Sequence, residues 1–278
     1  MNELNSIVFG LLSALTWGAG DFNGGLATRK SGVYAVVIFA ELIGALVLLI
    51  IALVVGEPFP SLAGWLWGIA AGLVGVICLM ALYQGLATGK MGLVAPLSAV
   101  IGGAVPILYT AIYQGLPPPI QLLGFFFGLL AVWLLSSQDG VRIRIEDLTL
   151  PLIAGLGFGF YFVLIDIATV ESIYWPLVPA RTVAGLLLIP IALRLRQPLL
   201  PVRASAPFVA ASGTLDALGN LFFALAASTG RLDIAAVLSS LYSATTVGLA
   251  WIFLKERLNV RQWIGVAAAL AAIVLVSI

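Results

Sequence analysis

Ten apolar runs, each about as long as a bilayer is thick and separated by short polar breaks, constrain this chain more than any other feature. They lie near residues 5–27, 33–55, 62–88, 92–113, 119–136, 149–168, 174–194, 205–229, 232–253 and 259–277. A hydrocarbon core of about 30 Å takes about 20 apolar residues per helix. In lipid each backbone N–H and C=O has to be satisfied within the segment, which makes such runs helices. The chain is 62% hydrophobic and 9% charged, against about 25% charged in soluble domains. Ten spans use nearly all of the 278 residues, so no soluble domain is expected. The first run follows Glu3 rather than a basic segment and reads as a retained helix.

The sequence also repeats itself at a constant offset of 141 residues. Gly18 matches Gly159, Gly44 matches Gly185 and Gly72 matches Gly213. Thr88-Gly89-Lys90 aligns with Thr229-Gly230-Arg231, Leu97-Ser98 with Leu238-Ser239, Gln121 with Gln262, and Gly124 with Gly265. A duplication gives a first repeat over 1–136, a connecting loop over 137–148 and a second repeat over 149–278, with five spans in each repeat. An odd number of spans makes the second repeat enter the membrane from the opposite side. Inverted repeats are a recurring architecture of secondary transporters, because two equivalent halves can exchange conformations around one site.

Orientation follows from the basic residues. Arg29, Lys30, Lys90, Arg142, Arg144, Arg194, Arg196, Arg203, Lys255, Arg257 and Arg261 fall on one side, while Arg231 is alone on the other. The expectation is a multi-pass protein of the cell membrane, the inner membrane in a prokaryote, with both termini outside the cytoplasm and Ser136 to Asp147 inside it.

Several functions are excluded by what the chain lacks. It has no histidine and only Cys78, which removes the usual transition-metal ligand sets, histidine dyads and internal disulfides. No cofactor or metal is expected. A net charge of +1 with dispersed basic residues gives nucleic acid nothing to bind. Gly18-Ala19-Gly20-Asp21 has the G-x-G-D form of intramembrane aspartyl proteases, but the companion Tyr-Asp is absent. No H-E-x-x-H, P-loop or G-x-S-x-G occurs either, so no enzyme is expected.

Chemistry can therefore come only from the ionisable and aromatic groups inside the spans. Asp21, Glu41, Asp166, Arg181 and Asp216 lie there, each at a cost of about 2.5–3.5 kcal/mol at the bilayer centre unless it faces a cavity or a partner. Four acids cannot all be paired with Arg181, although Asp166 is its expected neighbour. Asp216 and Asn220 are one turn apart, and Asp216 lies about 11 residues, or roughly 16 Å, into span 8, near mid-membrane. Ser239, Tyr242, Ser243 and Thr246 form a stripe on span 9. Trp17, Tyr83, Tyr109 and Tyr161 sit inside spans, where they either line a cavity or pack. Glycine pairs four apart, such as Gly20 with Gly24, Gly68 with Gly72 and Gly155 with Gly159, are read as packing seams within the monomer. The candidate solute-binding residues are thus Trp17, Asp21, Glu41, Tyr83, Tyr109, Tyr161, Arg181, Asp216, Asn220 and Tyr242.

Together these features resemble the EamA-type members of the drug/metabolite transporter superfamily. The resemblance rests on Trp17-Gly18, on Ala87 to Lys90 through Ala95-Pro96-Leu97 with its counterpart near Thr229 to Leu238, and on Lys255-Glu256-Arg257 followed by Gln262 and Gly265. Where the first unit of that family often carries an acidic motif after helix 4, this chain has Gln114-Gly115-Leu116-Pro117. The resemblance implies an all-α membrane protein: ten transmembrane helices as two inverted five-helix EamA repeats, with helices 1–4 and 6–9 around a central cavity and helices 5 and 10 peripheral. It implies a monomer, a dimer being the alternative. The expected partners are the lipid bilayer, a small-molecule solute and, if transport is coupled, protons. The leading expectation is a secondary transporter exporting an amino acid or other amphipathic metabolite. An uncoupled facilitator or channel and a non-transporting scaffold are the alternatives.

Overall fold

The computed structural model describes residues 2–87, 91–135, 148–254 and 259–276, and its regular elements are all helical. They are α1 (Asn2–Ser31), α2 (Val33–Val55), α3 (Leu62–Ala87), α4 (Met91–Tyr113), α5 (Pro119–Leu135), α6 (Thr149–Ala168), α7 (Leu177–Arg194), a 3₁₀ turn at Arg203–Ser205, α8 (Ala206–Thr229), α9 (Leu232–Ser240), α10 (Tyr242–Leu254) and α11 (Val260–Val276). The expected cytoplasmic loop Ser136 to Asp147, the motifs Thr88-Gly89-Lys90 and Lys255-Glu256-Arg257, and the Gln262 side chain lie outside the described residues.

Many large apolar side chains face outward while small polar ones are buried. Leu46, Ile50, Phe126 and Phe160 are each more than half exposed, whereas Ser13, Ser98, Ser212 and Thr246 are buried. That inversion suits a molecule whose solvent is lipid. Among the described residues, six helical segments are both long and apolar enough to cross a membrane: α2, α3, α6, α7, α8 with its 3₁₀ turn, and the α9–α10 stretch Leu232–Phe253. One boundary differs from expectation for local reasons. α1 continues to Ser31 because Arg29 and Lys30 complement the negative end of its dipole, and it stops at Gly32, whose φ of 75° suits glycine.

Span 9 is not one helix. It breaks at Leu241, where Leu241 N–H donates to Leu238 O and Ala244 N–H to Leu241 O, three residues back in each case. The hydroxyl of Ser240 donates to Ala236 O, and that of Ser243 to Ser240 O, taking acceptors that the helical ladder would use.

The duplication seen in the sequence reappears in the packing. Exchanging the halves maps α1 on α8 to α6 on α3, α2 on α8 to α7 on α3, and α4 on α6 to α9 and α10 on α1. The α2–α7 and α5–α11 contacts map onto themselves. Glycine seams follow the same rule. A Cβ at Gly72 would overlap the Ala180 carbonyl on α7, and one at Gly213 the Ala40 backbone on α2. The four-residue glycine pairs do serve contacts within the chain: Gly68 and Gly72 face α7, and Gly155 and Gly159 face α4.

Two loop clasps also join the halves. After α2, the Glu57 carboxylate accepts hydrogen bonds from Ser172 Oγ (2.7 Å) and from the N–H groups of Ile173 and Tyr174 (both 3.1 Å), and the Glu57 carbonyl accepts Trp175 Nε1 (2.8 Å). Nearby, Glu171 accepts from Ser61 N–H and Oγ. Before α2, Ser31 Oγ accepts Val202 N–H (2.9 Å) and pairs with Ser205 Oγ.

Candidate functional site

Helical periodicity places Trp17 and Asp21 on one face of α1, four residues apart, and Asp216 and Asn220 on one face of α8. The close α1–α8 contact brings these faces together. It is possible because Gly20 lets the α8 backbone at Asp216 approach. α2 adds Glu41, α7 adds Arg181, α6 adds Phe158, Tyr161 and Phe162, and α10 adds Tyr242. The result is a cavity that Gly72, Gly75 and Leu79 of α3 also line. It draws on both halves. α5 and α11 do not line it, as expected of the peripheral helices. Of the other helices expected around it, the ninth span contributes through Tyr242 of α10, and α4 contributes no lining residue among those described.

The buried guanidinium of Arg181 organises the polar side. Its Nη1 donates to Glu41 Oε1 at 3.0 Å, and its Nη2 pairs with Asp216 Oδ2 and contacts Asp216 O at 3.3 Å. Asn220 Nδ2 donates to Asp216 O at 2.7 Å, and Tyr161 OH donates to Asn220 Oδ1. Glu41 Oε2 is buried and has no hydrogen-bond partner among the described residues. The lining is also aromatic. Trp17 stacks on Phe162 at 5.5 Å and on Phe223 at 5.6 Å, and Phe158 stacks on Phe162 at 6.5 Å.

Most of the candidates from sequence meet here: Trp17, Asp21, Glu41, Tyr161, Arg181, Asp216, Asn220 and Tyr242. Tyr83 does not. It is fully buried behind α1, against Gly24, with its hydroxyl hydrogen-bonded to Ser212 Oγ at 2.7 Å. Tyr109 packs on Tyr113 near the end of α4, away from the cavity. The expected pairing of Arg181 with Asp166 is also overturned, since its partners are Glu41 and Asp216. Asp166 stays near the end of α6, and Asp216 has a cation beside it. In the span 9 stripe, Ser239, Ser243 and Thr246 are buried but serve packing or their own helix, Thr246 Oγ1 donating to Gly18 O.

Phe158 and Phe162 were not among the candidates, although the repeat offset pointed to them: they occupy the positions of Trp17 and Asp21 in the second half. The ionic residues are not duplicated in the same way. Asp21 corresponds to Phe162, Glu41 to Thr182, Asp216 to Gly75 and Arg181 to Ala40. Asp233, at the start of α9, was also missed. It is fully buried and accepts from Arg231 Nε, Arg231 Nη2, Thr110 Oγ1 and Ile234 N–H, while Arg231 also reaches Gly115 O.

Comparison with known proteins adds three findings. The family model described as the EamA-like transporter family matches residues 4–137 and again 147–278. No curated protein matches the chain. A crystal structure described only as that of a protein is similar over 98% of this chain and 96% of its own, with a TM-score of 0.78 and 17% sequence identity. That similarity concerns the fold.

Proposed function

The chain belongs to the EamA-like transporter family, and we propose that it is a secondary transporter that carries a small solute through the cavity between its halves by alternating access. It is a multi-pass membrane protein. In this reading the repeats 1–136 and 149–278, joined by 137–148, are inverted and make ten crossings of the cell membrane, with both termini outside the cytoplasm. The protein acts as a carrier and not as an enzyme.

The observation that carries the reading is the placement of Arg181. This second-repeat cation is held by Glu41 of the first repeat and Asp216 of its own, inside a cavity that both repeats line. Any rocking of one repeat against the other has to break or remake the Glu41–Arg181 pair. A buried charge left alone is costly, so the pair couples the motion to whatever enters the cavity. With three carboxylates and one guanidinium among the lining residues, a proton or a cationic solute is the natural replacement. Export coupled to protons follows as the working direction.

Proteoliposomes test this. A thermal-shift screen of metabolites supplies the solute, because specific binding to the folded state raises apparent stability. Transport is then followed with and without an imposed pH gradient. Gradient-driven accumulation, lost in Glu41→Gln, supports the proposal. Equilibration that ignores the gradient indicates an uncoupled facilitator. Absence of both binding and flux overturns the transporter reading.

A further inference from the structure

We infer that the solute class of this cavity is an organic amine cation with an aromatic or apolar body and no carboxylate of its own. The inference rests on the transporter reading and deepens it.

Three observations support it. The lining residues include Asp21, Glu41 and Asp216 against Arg181 alone, so the ionised cavity carries an excess of negative charge. That excess would be a mere acidic cluster were it all internally paired, but Glu41 Oε2 is an acceptor on a residue only 3% exposed, it belongs to a cavity-lining side chain, and it lacks a partner among the described residues. A buried carboxylate oxygen without a donor is an unmet demand for N–H or O–H. An ammonium group carries three such donors and the positive charge.

The guanidinium argues against a carboxylate on the solute. Arg181 already spends Nη1 on Glu41 and Nη2 on Asp216. A carboxylate on the solute would have to approach Arg181 beside two carboxylates already on it, and their repulsion is a cost that a simple amine avoids. The geometry also disfavours a bare metal ion. Among the described residues no group of three or more Asp, Glu, Cys or His side chains converges as a ligand set. Trp17, Phe158 and Phe162 line the same cavity and present stacked rings. Ring faces attract cations and take up apolar bodies. An extended solute with an ammonium at one end and an apolar group at the other meets both the acids and the rings.

Three probes of nearly one shape separate the charge types: phenethylamine, phenylalanine and hydrocinnamate. Their binding to the purified full-length protein is measured by titration calorimetry at neutral pH. The expected order is phenethylamine first, with phenylalanine and hydrocinnamate weaker by about tenfold or more. Asp21→Asn, which breaks no ion pair of Arg181, should weaken phenethylamine by about fivefold or more and leave hydrocinnamate no weaker. The wild-type ranking needs no variant, so it stands as a test even if Asp21→Asn folds poorly. Tighter binding of phenylalanine or hydrocinnamate, lost in Trp17→Ala, would overturn the amine assignment while leaving the cavity as the solute site. Binding of none of the three, or binding indifferent to both Asp21→Asn and Trp17→Ala, would overturn the amine assignment together with the cavity reading.

Discussion

The two clasps at the ends of the α2–α7 pair correspond by exchange of the halves, yet they are fastened by different chemistry. At one end the loop after α2 meets the α6–α7 connection through the Glu57 carboxylate, which takes three hydrogen bonds, with Trp175 held by the neighbouring carbonyl. At the other end the corresponding segments meet through one hydroxyl, that of Ser31, shared between Val202 N–H and Ser205. Aromatic rings add to the first: Phe59 lies 4.5 Å from Trp175, and Trp65 lies 6.1 Å from it. The duplication decides which loops meet, while individual side chains decide how firmly. Charge-assisted bonds to a carboxylate are roughly twice as strong as neutral ones, so this conformation is tied at the Glu57 end and lightly held at the Ser31 end.

The largest effects should fall where the halves are alike. Gly72→Val and Gly213→Val each force a side chain into facing backbone, and each should cost about 3 kcal/mol or more, measured by unfolding in detergent. A large loss for one and none for the other would break the idea of a shared seam. Next comes Arg181→Ala, which strands Glu41 and Asp216 and should cost about 3 kcal/mol. Adding Glu41→Gln should recover part of it, whereas adding Asp166→Ala should not.

The contrast between the ends comes next in size. Glu57→Ala should cost about 2 kcal/mol and speed hydrogen exchange at Ile173 and Tyr174. Ser31→Ala should cost about 1 kcal/mol or less. Equal losses would show that the clasps are equivalent after all.

The smallest effect is one of pH. The backbone N–H of Ser61, and then its hydroxyl, hold the Glu171 carboxyl below the usual glutamate range. A group whose folded pKa is depressed stabilises above its unfolded pKa, about 4.3, and loses that contribution as pH falls through the lower folded value. The protection factor of the Ser61 amide, its exchange rate corrected for the intrinsic pH dependence, should therefore be steady near neutrality and fall only in acid, while the Ser31 end, which has no carboxylate among the described residues, should show no such step.

The sequence was most informative where periodicity and length suffice. Apolar runs placed the helices to within a few residues, and the offset of 141 anticipated the paired seams at Gly72 and Gly213. It failed where the answer depends on how helices approach one another. Nothing local to α7 distinguishes Glu41 from Asp166 as the partner of Arg181, because the choice is made by α2 crossing α7 and α8. Tyr83 and Tyr109 carry the same ring as Tyr161, and only packing directs Tyr161 into the cavity. The break at Leu241 was hidden because the hydropathy of Leu232–Phe253 stays high across it, though the serines around it carry the cause.

One consequence of the unduplicated charges concerns degeneracy. A scaffold that maps onto itself offers two arrangements of half against half, related by the exchange and alike in packing energy. In this chain the exchange sets Phe162 where Asp21 stood, Thr182 where Glu41 stood, Gly75 where Asp216 stood and Ala40 where Arg181 stood. In the alternating-access reading proposed above, the charged residues would lift a degeneracy that the glycine seams leave in place, and would set which arrangement the empty molecule occupies. Moving a single carboxylate to its counterpart position, as in Phe162→Asp with Asp21→Phe, would shift that resting balance without altering any seam between the helices.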